Sequence, residues 1–356
     1  MNNIAEEKII SSIRLTSQQL SAPDIRHQTP KEIVAWMGAV QAQNFGMAKW
    51  ALGVRIPGCT NNVVEDAFNK GEIIRTHILR PTWHFVTSDN LRWMLGLTAP
   101  KIQSSSKSWE IYHELTDEIY RKCFGIIFKI LENNNHLTRQ EIAVEMERSK
   151  IRMNNSRISQ IMFRAELNGI VCSGALKNKE QTYALMDERI PASAPLHRDE
   201  ALARLTRIYF TSHSPATIED FVWWSGLSLT EARKGIESVK EGFITEKLMG
   251  RNYWIANEFA SIKKSDDSLL LLPAFDEYII SYKYRDAVIR SLFHSQVISK
   301  NGIFCPVILE NGIVIGTWKK AVSKNKPPIL TFFEEQDFPN QQRMDRPISA
   351  LNVFLS

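Results

Sequence analysis

The sequence predicts an α+β protein in which three tandem winged-helix (helix-turn-helix) motifs precede a small β-rich domain. One order of elements, three helices followed by two short β-prone runs, occurs twice along the chain, and a less regular copy occupies the first hundred residues. After residue 264 the segments become short, apolar and β-prone, and turn residues separate them. The predicted domains are 1–105, 106–195, 196–262 and 263–356.

Composition is that of a soluble globular protein. The 356 residues are 44% hydrophobic and 23% charged, and apolar runs such as Leu269–Leu272 are too short to cross a membrane. Because Glu6 and Glu7 stand where a signal peptide would be basic, we expect a cytoplasmic protein with no membrane partner. A formal net charge of +5 permits binding to a polyanion without requiring it.

The first copy of the repeat is the least regular. Thr29–Glu32 combines a capping box with proline at the first helical position, and apolar residues then recur at spacings of three and four. This pattern predicts a helix with Gln41 and Gln43 at its carboxyl end. A second helix near 62–70 precedes two wing-like strands within 73–86.

The central copy begins with an apolar helix that ends at Leu131. The capping box Thr138–Glu141 opens a second helix, and a third runs from about Asn154 to Asn168. Residues 170–174 and 182–185 form the predicted hairpin wing.

The third copy starts with a helix over 201–211. Thr217–Asp220 and Ser228–Glu231 open its next two helices, and 243–247 with 252–256 form its wing.

Four short β-prone runs make the last domain, for which a barrel-like arrangement is one option. They lie within 269–273, 304–309, 314–318 and 329–333. A loop or short helix at 276–293 interrupts them.

The segment Gln41-Ala42-Gln43, taken together with Arg75–Phe85, resembles the AlkZ-like DNA glycosylases, tandem winged-helix proteins that unhook interstrand crosslinks. In that family a Gln-aliphatic-Gln motif of the first winged helix is the catalytic pair, so the resemblance implies that Gln41 and Gln43 are catalytic. It further implies a monomeric, nucleoid-associated, monofunctional glycosylase without cofactor or metal. Its partner would be double-stranded DNA carrying cationic N7-alkylguanine or crosslinked purines, and its role could be genotoxin resistance.

The chemistry of this pair is limited to orienting and polarising. A glutamine amide has no accessible protonation change near neutral pH, so it cannot be a general base. Its oxygen can stabilise positive charge that develops on the sugar and can hold a water molecule. Related family members have Asp at the third position of the motif, where this chain has Gln43. The alternative interpretation is that both glutamines are solvated at a helix end.

The family-like stretch also contains His77 and His84. Each is either a buried, hydrogen-bonded residue of a strand pair or part of the lining of the site. Arg75 and Arg80 are better candidates for phosphate binding.

Two basic clusters are either solvated surface or contacts to DNA phosphates. The first lies on or before the third helix of the central copy, where cations would neutralise phosphates without reading sequence; it contains Arg148, Lys150, Arg152, Arg157 and Arg164. The second lies in the β-rich domain and contains Lys319, Lys320, Lys324 and Lys326.

Asp276 and Glu277 invite an acid–base or metal-ligand interpretation. Neighbouring residues rarely point the same way, so packing or a salt bridge with Lys283 or Arg285 is the alternative. Four singly spaced cysteines lack the pairing of a zinc site, which favours buried free thiols. Two rival functions therefore stay open: a non-enzymatic DNA-binding regulator, and a hydrolase centred on the two carboxylates.

Overall fold

The computed structural model describes residues 2–21, 25–262, 267–321, 326–335 and 338–356. The helices are α1 Asn2–Ser17, α2 Pro30–Met37, α3 Phe45–Gly53, α4 Asn61–Asn69, α5 Ser88–Ser105, α6 Lys107–Tyr112, α7 Asp117–Leu131, α8 Arg139–Arg148, α9 Asn155–Leu167, α10 Met186–Arg189, α11 Arg198–Ser212, α12 Ile218–Ser225, α13 Leu229–Val239, α14 Glu277–Ile280, α15 His294–Val297 and α16 Gln341–Leu355. The strands are β1 Val40–Gln41, β2 Ile73–His77, β3 Trp83–Thr87, β4 Leu137–Thr138, β5 Val171–Ser173, β6 Thr182–Leu185, β7 Phe243–Leu248, β8 Arg251–Ala256, β9 Leu269–Leu272, β10 Val307–Glu310, β11 Ile313–Lys319 and β12 Ile329–Phe332.

The chain divides into two compact units. Unit 1 contains Met1–Glu65 and Leu202–Ser356, and unit 2 contains Asp66–Ala201. Unit 1 is therefore discontinuous in sequence, with unit 2 inserted into it.

Unit 2 contains the hairpin β2–β3 and a small antiparallel sheet of order β4-β6-β5. Helices α7, α8 and α9 bury their apolar sides in one core with β5 and β6, including Cys123, Ile142, Ile161 and Leu185. The predicted order of three helices followed by a hairpin is thus present. The predicted capping box at Thr138 is also present, because its hydroxyl accepts from the Glu141 N–H and the Glu141 carboxylate accepts from the Thr138 N–H.

Unit 1 contains α11 from Leu202 onward, α12, α13 and the hairpin β7–β8. Capping boxes open α12 at Thr217 and α13 at Ser228, as predicted. The β7–β8 turn is the pair Met249-Gly250, both at positive φ, which is the geometry that two-residue hairpins favour.

Unit 1 also contains a four-stranded antiparallel sheet of order β12-β11-β10-β9. Its apolar face shares a core with α1, α14 and the segment 287–289. The indoles of Trp50 and Trp318 donate to the carbonyls of Leu271 and Leu272, each at 2.7 Å, so both buried N–H groups are paired. Among the described residues these strands form an open sheet, so the barrel-like option was wrong.

Candidate active site

The Gln-Ala-Gln segment does not lie at the end of a helix, contrary to the sequence-based expectation. Helix α2 ends at Met37 because Gly38 adopts φ 78°, which a side chain would disfavour. A Cβ at Gly38 would also stand 2.7 Å from the side chain of Ile208. The chain leaves the helix there, and Gln41 ends the short strand β1.

Gln41 and Gln43 differ in exposure. Gln41 is 4% exposed and Ala42 is fully buried, whereas Gln43 is an exposed residue. Directly after the motif, the side chain of Asn44 accepts from the Met47 N–H and caps α3. The motif therefore leads from the last residue of β1 to the capped start of α3.

A buried carboxylate holds the backbone of the motif. The N–H of Gln41 donates to Glu277 Oε1 at 2.5 Å, across 236 positions of sequence. Glu277 is 1% exposed, and its Oε2 accepts from Trp224 Nε1 at 3.2 Å and from the Ser281 hydroxyl. The two oxygens thus face different partners, and this contact had no signal in the local sequence.

A buried histidine lies beside this carboxylate. His213 Nε2 is 3.8 Å from Glu277 Oε2, and the ring stacks on Tyr209 with centroids 4.7 Å apart. Burial lowers the pKa of the His213 imidazole, and the nearby Glu277 opposes part of that effect.

The salt bridge of Asp276 is with Arg55, not with the expected Lys283 or Arg285. Its two oxygens accept from Arg55 Nη2 and Nη1 at 2.8 and 2.9 Å, and both side chains are buried. Asp276 also caps α14 by accepting from the Tyr278 N–H at 2.9 Å. Since Asp276 and Glu277 are each 1% exposed and engaged in this way, they do not form the open carboxylate pair that the hydrolase interpretation requires.

In unit 2, His77 belongs to an aromatic cluster. Its Nδ1 lies 2.5 Å from Oε2 of the buried Glu166, and its ring lies 3.9 Å from Trp83 and 4.7 Å, edge-on, from Phe163. These rings border a cleft of about 660 Å³ along α9. His84 is fully buried, with Nδ1 2.9 Å from the Thr82 carbonyl, as the hydrogen-bonded interpretation expects.

Arg75 is a mostly buried cation. Its guanidinium lies 4.1 Å from the Trp83 ring centroid and donates to Gln181, and burial lowers its pKa to about 10. Arg75, Trp83 and Gln181 border a second cleft of about 290 Å³. Arg80 is half-buried in the turn between β2 and β3.

The basic residues near α9 differ in their surroundings. Arg152 is exposed, and its carbonyl accepts from Arg157 Nε at 3.0 Å. Arg157 also donates to the carbonyl of His113, and Arg164 forms an ion pair with Glu110 at 2.7 Å.

In unit 1, the lysines of the second cluster are more accessible. Lys319, at the end of β11, is exposed, as are Lys320 and Lys326. Lys324 lies outside the described residues.

The cysteines carry free thiols, of which Cys59, Cys123 and Cys172 are buried and Cys305 is half-buried. Within the described ranges, no three His, Cys, Asp or Glu residues are grouped so that they could hold a metal ion. None of the helices in the described part of the chain has the length and apolar character to span a membrane.

Comparison with known proteins finds a similar fold over nearly the whole length of the chain. The solved structure of the Streptomyces sahachiroi DNA glycosylase AlkZ is similar, with a TM-score of 0.82 and 20% sequence identity, over 98% of this chain and 97% of that one. The chain has no match among curated proteins. A family model described as DNA glycosylase AlkZ-like matches residues 34–326, which include the Gln-Ala-Gln segment and Glu277. The chain therefore belongs to the AlkZ-like DNA glycosylase family.

Proposed function

We propose that this DNA glycosylase hydrolyses the N-glycosidic bond of cationic N7-alkylguanine and of crosslinked purine nucleotides, with Gln41 and Gln43 as its catalytic pair. The observation that carries the proposal is the Gln-Ala-Gln segment, in which Gln43 is exposed while a buried carboxylate holds the Gln41 backbone. An anchored segment presents its amide dipoles with little freedom, and electrostatic catalysis depends on such preorganised dipoles.

The proposed reaction needs no protein base. The cationic base leaves with the electron pair of the glycosidic bond and becomes neutral, while positive charge develops on the sugar. The amide oxygens of Gln41 and Gln43 stabilise that charge and orient a water molecule, whose oxygen attacks the anomeric carbon and whose proton passes to solvent. The reaction is monofunctional, because water is the nucleophile and the sugar–phosphate backbone stays intact.

The proposed scaffold is the four-domain division at 1–105, 106–195, 196–262 and 263–356, in which the first three domains are winged helices. The order of helices and hairpins in the central and third copies supports it. We further propose that a monomer binds damaged or crosslinked duplex. Of the two candidate site-lining histidines, His77 borders the cleft along α9 and keeps that role in the proposal, whereas the fully buried His84 is hydrogen-bonded to the Thr82 carbonyl and does not. The proposed phosphate contacts are Arg75, Arg80, Arg152, Arg157, Arg164, Lys319 and Lys320, of which Arg152 and the two lysines have the exposure that a phosphate contact needs.

The test is single-turnover incubation of the protein with duplex containing one N7-methylguanine. We expect release of free N7-methylguanine well above the spontaneous rate and no release from undamaged duplex. The Gln43→Ala variant is the control for contaminating glycosylases. Duplex binding without base release, with preference for one sequence, would instead support the regulator.

A further inference from the structure

We propose that Glu277 is the positioning residue of the catalytic motif: its buried carboxylate fixes the main chain of Gln41 and thereby sets where the amides of Gln41 and Gln43 stand. This inference rests on the proposed function, because it assumes that the two amides act on the substrate. Glu277 would act through the motif rather than on the DNA, since its side chain is buried.

The hydrogen bond between Gln41 and Glu277 is short and lies where β1 ends. The N–H of Gln41 donates to Oε1 at 2.5 Å, and Gln41 is the last residue of β1. Beyond it the chain must reach Asn44, which caps α3. A shift of the Gln41 peptide would therefore move both amides, and displacement of a catalytic group by about 1 Å can cost about a hundredfold in rate.

Further hydrogen bonds fix the other oxygen of the Glu277 carboxylate. Oε2 accepts from the indole of Trp224 at 3.2 Å and from the hydroxyl of Ser281. Glu277 is also the first residue of α14, whose N-cap Asp276 is fixed by the buried pair with Arg55. These contacts restrict the side chain, so the position of Oε1 is determined before substrate binds.

The arrangement requires a carboxylate rather than an amide. Both Gln41 N–H and the Trp224 indole are donors without acceptor capacity, and they address different oxygens of Glu277. A glutamine here has only one acceptor oxygen, so its NH₂ group would face one of these two donors in either orientation. The substitution keeps size and shape but breaks one of the two bonds.

The experiment measures Glu277→Gln in three ways: single-turnover release of N7-methylguanine, the Kd for duplex, and residue-level hydrogen exchange of the Gln41 amide. We expect the rate to fall about tenfold to a hundredfold while Kd stays within about threefold of the unmodified protein. The Gln41 amide should exchange at least about tenfold faster, because its acceptor is weakened. If this variant does not fold, Glu277→Asp, which withdraws the carboxylate by one methylene, should show the same pattern.

Asp220→Asn is the matched control. Asp220 is an equally buried carboxylate of unit 1, and it accepts from the N–H groups of Thr217, Lys283 and Tyr284 rather than from the motif. We expect Asp220→Asn to lose about as much stability as Glu277→Gln. Its rate of base release should nevertheless stay within about threefold of that of the unmodified protein.

Three results would overturn the positioning role: an unchanged release rate in both Glu277 variants, unchanged exchange at Gln41, or an equal loss of rate in Asp220→Asn. If the unmodified protein releases no base, the proposed function fails separately. The exchange of Gln41 then decides whether Glu277 still anchors the segment.

Discussion

Replacing Asp276 with Asn removes one charge from a buried ion pair and leaves the Arg55 guanidinium in place. Arg55 donates five hydrogen bonds, two to Asp276 and the others to Gln18 and the Ala51 carbonyl. The side chains of the pair are only 2% and 0% exposed, so water cannot solvate the guanidinium when its partner is neutral. Breaking one side of a buried pair costs about 3–5 kcal/mol.

The N-cap of α14 should survive this substitution, because an Asn oxygen can still accept from the Tyr278 N–H. The expected loss is therefore that of the charge and of one hydrogen bond, because the Asn NH₂ group would face Arg55 Nη1, and it is a large part of the roughly 5–15 kcal/mol that stabilises an ordinary domain.

The assay is hydrogen exchange of peptides from unit 1 in increasing urea, since two units need not unfold together. The control is Glu258→Gln, which breaks the exposed pair with Arg26, whose side chains are 42% and 39% exposed. An exposed pair contributes about 0–1 kcal/mol. A loss of unfolding free energy below about 1 kcal/mol for Asp276→Asn, or equal losses in the two variants, would refute the assignment of a buried ion pair that unit 1 needs for its stability.

Four further outcomes are expected. Gln43→Ala should slow base release about a hundredfold to a thousandfold with little change in duplex Kd, and Gln41→Ala should do nearly the same; full activity in both would exclude the glutamine mechanism. Release of neutral uracil should be far slower than that of N7-methylguanine from matched duplexes, because neither amide can protonate a leaving base, and equal rates would point to an acid elsewhere. Lys319→Ala with Lys320→Ala should flatten the salt dependence of duplex binding by about 0.9 for each phosphate that the variant no longer neutralises, and an unchanged slope would place the DNA elsewhere. Burial lowers the pKa of His213 in the folded protein, so the stability that depends on a neutral His213 is complete above pH about 6.5, the pKa of an unfolded histidine, and is lost as the pH falls from 6.5 through the lower pKa of the folded state. His213→Gln should therefore reduce the loss of unfolding free energy at acid pH in urea titrations. An identical pH profile for the two proteins would contradict the lowered pKa.

Local signals account for the parts of the fold that the sequence predicts well. Capping boxes at Thr29, Thr138, Thr217 and Ser228 were all confirmed, because each depends on residues within one helical turn. No prediction covered α5 or α16. Both contain an internal proline, Pro100 and Pro347, which argues against a helix when only local pattern is considered.

The environment of the site was beyond local prediction. The apolar spacing in α2 continues past Gly38 to Val40, so it placed the motif on the helix, whereas the positive φ of Gly38 and its close approach to Ile208 end the helix earlier. The link from Gln41 to Glu277 joins segments 236 positions apart, and a single sequence carries no pairing signal over such a distance. The sequence analysis singled out both segments separately, as the Gln-Ala-Gln motif and as the Asp276-Glu277 pair, without showing that they meet.

Because unit 1 is discontinuous in sequence, its two parts are translated at different times. Unit 2 is continuous, so it has all its residues while the later segments are still unmade. The carboxylates that accept from Gln41 and Arg55 are translated only with Glu277 and Asp276, and Phe354, whose ring packs 5.1 Å from Trp50, is translated later still. A nascent chain can therefore carry the motif for most of its synthesis without the framework that organises it. Chains that terminate before Asp276 should therefore have no base-releasing activity.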